Sequence, residues 1–243
     1  LAGSGAEEFD GLNLVSYANV TSAVTLTGTI QGGFVGTGGA AGDNLLDVAQ
    51  LVLTGLADEI LVSEATVLAI DADMGAGADA ADIAVANGTA ALIMGTGDDS
   101  VTGYAAILTL DLGIGADSAD LTTPGLGSNM QADVVAGDGA DTVSATNFVF
   151  CSVEGGLGDD SLTGIHNDLF IGSEITLIGG SGSDTLTGES LDAMVVMEGG
   201  VGGDQLHAAA RFGQFFGGDD ADILTIQCIA QDAGTFVVDG GNG

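Results

Sequence analysis

The chain of 243 residues is long enough for one ordinary domain or two small ones, and it sets 35 Asp and Glu against 1 Lys or Arg, a formal net charge of −34. That balance excludes nucleic acid as a partner, because phosphate binding needs Lys and Arg. Apolar residues at 46% exclude a merely solvated acidic tail, and 43 Gly beside 1 Pro exclude collagen and proline-rich linkers. No apolar run reaches the ~18 residues of a transmembrane helix, and no basic-then-apolar leader is visible. The start at Leu1 is read as processing or excision from a longer chain. Self-repulsion on this scale opposes compaction unless a cation binds, and hard divalent ions prefer oxygen ligands.

Residues 1–70 read as degenerate copies of a unit that is clear only later, with a small non-repeat cap as the alternative. Gly3-Ser-Gly5-Ala-Glu7 has Glu where Asp recurs afterwards. Asp43-Asn-Leu45 and Asp58-Glu-Ile60 keep an Asp-x-apolar element without paired glycines, and Val24–Gly28 and Val52–Gly55 keep a Thr-Gly ending.

Residues 71–243 carry the regular repeat, and the two parts are expected to form one continuous domain. The pattern is apolar strand, Gly-x-Gly-x-Asp, any residue, apolar residue. Its copies are Gly75-Ala-Gly77-Ala-Asp79, Gly95-Thr-Gly97-Asp-Asp99, Gly113-Ile-Gly115-Ala-Asp117 and Gly137-Asp-Gly139-Ala-Asp141. Then come Gly156-Leu-Gly158-Asp-Asp160, Gly180-Ser-Gly182-Ser-Asp184 and Gly200-Val-Gly202-Gly-Asp204. Gly218-Asp-Asp220-Ala-Asp222 has Asp220 in place of the second glycine, and a ninth copy opens at Gly241-Asn-Gly243. The eight aspartates follow one another at intervals of 20, 18, 24, 19, 24, 20 and 18 residues.

Each unit also holds a strand before the bend, such as Ile107–Leu112, Ile175–Ile178 or Met194–Met197. A shorter one follows it, often ending Thr-Gly as in Ser161–Gly164. Two strands and two turns in about 20 residues make one coil of a solenoid. The spacing therefore predicts an all-β parallel solenoid of about 11–12 coils, with one row of Gly/Asp loops along one edge. Helix is excluded by the recurrent Gly and Asp and by the β-branched apolar runs. Cys151 and Cys228 fall about four coils apart, near 19 Å at a coil rise of ~4.8 Å, too far for a disulfide. Both read as small apolar strand residues.

Glycines that reach positive φ let carbonyl oxygens turn toward one place, the Asp adds a charged oxygen, and the apolar residue two positions later anchors the bend. Stacked bends then offer several carbonyls and one or two carboxylates per gap, a flexible oxygen set that suits Ca²⁺ better than Mg²⁺. Zinc is disfavoured, since only His166 and His207 exist and neither has a Cys or His at ligand spacing. Read singly, each Asp and Gly is an ordinary turn former. Eight carboxylates stacked about 5 Å apart would repel by about 1–3 kcal/mol per pair at dielectric constants of ~20–80, which favours several calcium ions in one row.

Gly155-Gly-Leu-Gly-Asp-Asp-Ser-Leu162, Gly179-Gly-Ser-Gly-Ser-Asp-Thr-Leu186 and Gly199-Gly-Val-Gly-Gly-Asp-Gln-Leu206 resemble the nonapeptide repeats of haemolysin-type (RTX) calcium-binding proteins. The resemblance covers residues 70–243 well and the remainder poorly. It implies a parallel β-roll or β-helix that folds on binding calcium outside the cell. This chain departs from the family in carrying the motif once per coil, so one calcium row and an ordinary opposite turn are expected. The family's C-terminal secretion signal is not visible.

The expected function is an extracellular, calcium-stabilised structural solenoid: a subunit of a self-assembling filament, surface layer or matrix, or a segment of a surface adhesin. The half-finished motif at Gly243 points to end-to-end association, with cell-surface or matrix partners in view. The alternative is a calcium module attached to a secreted enzyme or to a carbohydrate- or ice-binding protein. The chain itself is expected not to be an enzyme. It has no Lys, and its other candidates are Arg211, His166, His207, Tyr17 and Tyr104. His207 and Arg211 read as a polar surface turn on a local bulge. The Thr102, Thr163 and Thr187 row is interrupted, and Phe148, Phe150, Phe215 and Phe216 read as core or stacking residues.

Overall fold

The computed structural model describes residues 8–10, 14–28, 33–41, 43–46, 50–62, 69–124, 129–167, 172–229 and 234–242. Among these there are strands and turns and no helix. The chain winds as a parallel β-solenoid of about nine coils with roughly 20 residues per turn.

A single coil shows how the sequence makes the shape. Phe150–Leu157 runs along the first face, the Gly156–Asp160 bend turns the chain, Ser161–His166 runs along the second face, and Glu174–Ser181 opens the next coil on the first face. Alternation within each strand sets what lies inside. Cys151 and Val153 point inward from the first face, Leu162 and Gly164 from the second, while Phe150 and Glu154 are exposed. Coils pair in register: Gln131–Asp138 lies beside Phe150–Leu157, which lies beside Glu174–Ser181. On the second face Thr142–Thr146, Ser161–His166 and Thr185–Ser190 stack likewise. Two strands, Ala80–Ile93 and Ser100–Ile114, run from the second face to the first without a break. Register this strict follows from the period of two, since a one-residue slip would turn every buried side chain out to solvent.

The core is the column between the faces. The apolar residue two positions after each loop aspartate is the anchor expected of it: Val101, Val143, Leu162, Leu186 and Leu206 are buried, and Leu224 packs partly buried against them. The recurrent Thr-Gly has a packing cause. Gly164 faces inward against Ile175 and Leu177, and Gly188 against Val195 and Met197, so large residues of one face fill the space left by the other.

Several expectations are corrected. The coil number is about nine, not 11–12. Chain is consumed in two ways. The two 24-residue intervals put their extra residues between the strands ending at Thr122 and His166 and those beginning at Gln131 and Glu174. Before Leu51, Gly33–Gly38 pairs antiparallel with both Val24–Gly28 and Asn44–Leu46, a sideways excursion instead of further coils. Phe150 is 43% exposed on the first face, whereas Phe148 and Phe215 are buried. Phe215 stacks near Phe236 with ring centroids 5.9 Å apart. His207 sits in a regular strand, Gln205–Ala210, paired in register on both sides, so there is no bulge there. Cys151 is buried and Cys228 exposed, both free. The Glu7 and Gly243 positions lie outside the described residues.

Candidate functional site: a ladder of buried aspartates

The loop aspartates form a continuous ladder up one edge. Each Asp backbone N–H donates to Oδ1 of the Asp in the following coil. Asp79 donates to Asp99 at 2.7 Å, Asp99 to Asp117 at 2.8 Å, Asp117 to Asp141 at 2.8 Å and Asp141 to Asp160 at 2.9 Å. Asp160 donates to Asp184 at 2.8 Å, Asp184 to Asp204 at 2.8 Å and Asp204 to Asp222 at 3.0 Å. All eight predicted aspartates are thus brought together. The seven from Asp79 to Asp204 are buried, at 1–2% exposed. The side chains point into the bend rather than out of it.

One oxygen of each carboxylate is thereby satisfied, and the other is not. Oδ2 of Asp79, Asp99, Asp117, Asp141, Asp160, Asp184, Asp204 and Asp222 is buried with no hydrogen-bond partner. A charged oxygen so placed is costly, since leaving a buried polar group unmade forfeits about 1–3 kcal/mol and more when it is ionised. The electrostatics say the same. Burial pushes the Asp79 carboxyl up from 3.8 to about 7, against the hydrogen bond from Asp58, with Asp99 and Asp58 raising it further. Burial likewise lifts Asp117, Asp160 and Asp204 to about 6, and raises Asp99, Asp141 and Asp184.

Glycine makes the bend possible. Gly97 has φ of 135°, and a Cβ there would run into the Gly77 carbonyl oxygen of the coil below. The other paired loop glycines repeat this geometry, save Gly115, whose φ lies outside the left-handed range although its contact with the Gly97 carbonyl is equally close. Asp220 occupies the second glycine position with φ of 79°, a conformation that strains a residue with a side chain. The residue before the bend divides the coils into two kinds. Met74, Met94, Leu112 and Ala136 fill that position in the earlier coils, all buried, and Gly155, Gly179, Gly199 and Gly217 in the later ones. A Cβ at Gly155 would meet Asp160 Oδ2 together with the Gly179 carbonyl oxygen. Gly179, Gly199 and Gly217 repeat the arrangement with Asp184, Asp204 and Asp222. In these four later coils carboxylate and carbonyl oxygens from adjacent coils therefore converge on one gap, where the earlier coils place an apolar side chain.

Two members of the ladder escape the sequence reading. Asp58, taken as a degenerate copy, donates to Asp79 Oδ1 at 2.6 Å and is 2% exposed. Its 21-residue distance from Asp79 matches the period and was the available signal. The sequence reads Thr54 as part of a Thr-Gly strand ending at Val52–Gly55, but it stands in the bend itself, beneath Gly75 at the first-glycine position.

No three Asp, Glu, His or Cys side chains cluster closely enough to hold a metal among the described residues. A cation on this ladder would need backbone carbonyls to complete its shell. His166 is buried with both ring nitrogens unpartnered, far along the second-face strand from the bend. Arg211 pairs with Asp192 at 3.1 Å and lies 5.1 Å from the Phe212 ring centre. The Thr102, Thr163 and Thr187 row is interrupted by Asp120, Ser144 and His207 in register. A cavity of about 500 Å³ beside Ile107, Gln131, Phe150 and Glu174 lies on the first face, away from the ladder. Comparison with protein-family models, with curated proteins and with solved structures gives no match. Among the described residues no helix is long and apolar enough to cross a membrane.

Proposed function

We propose that the chain is a calcium-stabilised structural solenoid that works outside the cell, of the haemolysin-type repeat kind. The observation that carries this reading is the file of eight buried Oδ2 atoms without partners. A row of hard cations would give each of them a ligand and offset part of a net charge of −34. Asp79, Asp99, Asp117, Asp141, Asp160, Asp184, Asp204 and Asp222 would hold the ions, with loop-glycine carbonyls as the remaining donors. Calcium supplies no reaction here, only charge neutralisation and a bond between coils.

The donor set also argues for where the protein acts. One or two carboxylates with neutral carbonyls make a site of low charge, and such sites suit the ~10⁻⁴–10⁻³ M affinities of extracellular modules. Assembly into a filament, surface layer or matrix, or service within a larger adhesin, belongs to this reading. A uniform stack offers a stiff rod rather than a pocket built for turnover.

Chelation followed by circular dichroism, with calcium stoichiometry measured by native mass spectrometry, tests the proposal. A weakened β signal on chelation, its recovery with calcium and several bound ions are expected. An unchanged spectrum with no ion bound at millimolar calcium would overturn it. Electron microscopy with and without calcium tests assembly; monodisperse monomers in calcium would count against the filament.

A further inference from the structure

We propose that Thr54 stands in for a cation at the N-terminal end of the ladder, so that the row of metal sites begins at Asp79 and the Asp58 coil holds together without metal. The inference rests on the calcium reading above.

The Asp58 bend has the same length as the others and stacks directly under the Asp79 bend. Thr54 lies beneath Gly75 and Leu56 beneath Gly77, since Cβ atoms at those glycines would collide with the Thr54 carbonyl and the Leu56 backbone. Thr54-Gly-Leu56-Ala-Asp58 is therefore the loop motif with both paired glycines replaced. Neither Thr54 nor Leu56 is among the residues at positive φ, so the backbone turn that aims loop carbonyls into the gap is not made here.

In its place stands a closed set of hydrogen bonds. The Thr54 backbone N–H donates to Asp58 Oδ2 at 2.6 Å, and the Thr54 hydroxyl lies 2.8 Å from the same oxygen and 3.0 Å from Oδ1. The Val24 N–H donates to Oδ1 at 2.7 Å. The Thr54 Oγ1 in turn accepts from the Leu56 N–H at 3.0 Å. Asp58 Oδ2, the oxygen that is left bare in the eight later carboxylates, is thus the one Oδ2 of the ladder bonded within the chain. Asp58 still donates its own N–H to Asp79. The result is a metal-free first rung on which metal-dependent coils can stack.

Three measurements on the full chain decide the matter. Native mass spectrometry of the Thr54→Gly/Leu56→Gly variant, which restores the glycine pattern, is expected to show one more bound calcium than the parent. Asp204→Asn, run alongside, is expected to show at least one fewer. A loss in Asp204→Asn with no gain in the double variant overturns the Thr54 assignment while sparing the calcium reading. No change in Asp204→Asn removes the calcium reading itself, and this inference with it. Hydrogen exchange of the unmodified chain covers a double variant that fails to fold. In chelator the Val24 and Thr54 amides are expected to keep their protection while those of Asp160 and Asp184 exchange at least about tenfold faster than in calcium. Equal loss at all four overturns the proposal.

Discussion

A carboxylate with one oxygen hydrogen-bonded and the other bare and buried has two ways to lower its energy: take a proton or take a cation. Asp160 illustrates the choice. Its Oδ1 accepts from Asp141, while Oδ2 has no hydrogen-bond partner and borders, with the Gly179 carbonyl oxygen, the same space beside Gly155. Two oxygens bordering one space repel until something positive stands between them. Asp160→Asn keeps the Oδ1 acceptor and deletes the charge, so its effect should change sign with calcium. In chelator at pH 8 the variant is expected to unfold at the same or higher denaturant concentration than the parent, because a buried unpaired charge has gone. In saturating calcium it is expected to be destabilised by about 1–3 kcal/mol, the scale for losing a ligand's charged bond. Paired urea titrations check this. Equal destabilisation with and without calcium would mean that Asp160 acts as a hydrogen-bond acceptor alone.

The ladder is the element that couples these residues, and its titration follows from the same burial. For Asp79, Asp117, Asp160 and Asp204 the folded value, about 6–7, stands above the ordinary 3.8. The fold therefore holds more protons than the unfolded chain between those limits, and stability falls as pH rises. The ladder's contribution is fully present below about pH 4 and is lost as pH climbs through 6 to 7. With calcium the dependence reverses, since the ion competes with the proton for the same oxygen. Thermal melts from pH 4 to pH 8 should thus slope downward in chelator and upward in calcium. Parallel slopes in the two conditions would show that metal and proton do not share a site. Much of this element was legible in the sequence, because Gly-x-Gly-x-Asp at a near-constant interval fixes strand, bend and anchor together. The direction of the aspartates was not. A turn-forming Asp and an inward ligand obey the same spacing, and only the backbone geometry shows that Oδ1 is spent on the coil below. Thr54 was misread for a related reason: Thr-Gly closes a strand elsewhere, whereas here the Thr stands in the bend and what it supplies is a hydroxyl in three dimensions.

At the scale of the whole molecule the question is whether calcium acts as a ligand or merely as counter-charge. A net charge of −34 on 243 residues swells any compact state, and the single Arg211, tied to Asp192, does little to relieve it. Sodium chloride at 1 M shortens the screening length to about 3 Å, against ~10 Å at 0.1 M, so it removes repulsion between exposed carboxylates on neighbouring coils. It does not supply a ligand to an oxygen buried inside a bend. The two roles therefore separate experimentally. In chelator, raising sodium chloride to 1 M is expected to shrink the radius of gyration measured by small-angle scattering. It should leave the Asp141, Asp160 and Asp184 amides exchanging freely. Millimolar calcium at low salt is expected to restore both compactness and protection. Salt alone restoring both would reduce the ion to a screening agent, and the aligned aspartates would then be turn formers whose charge the fold tolerates rather than uses.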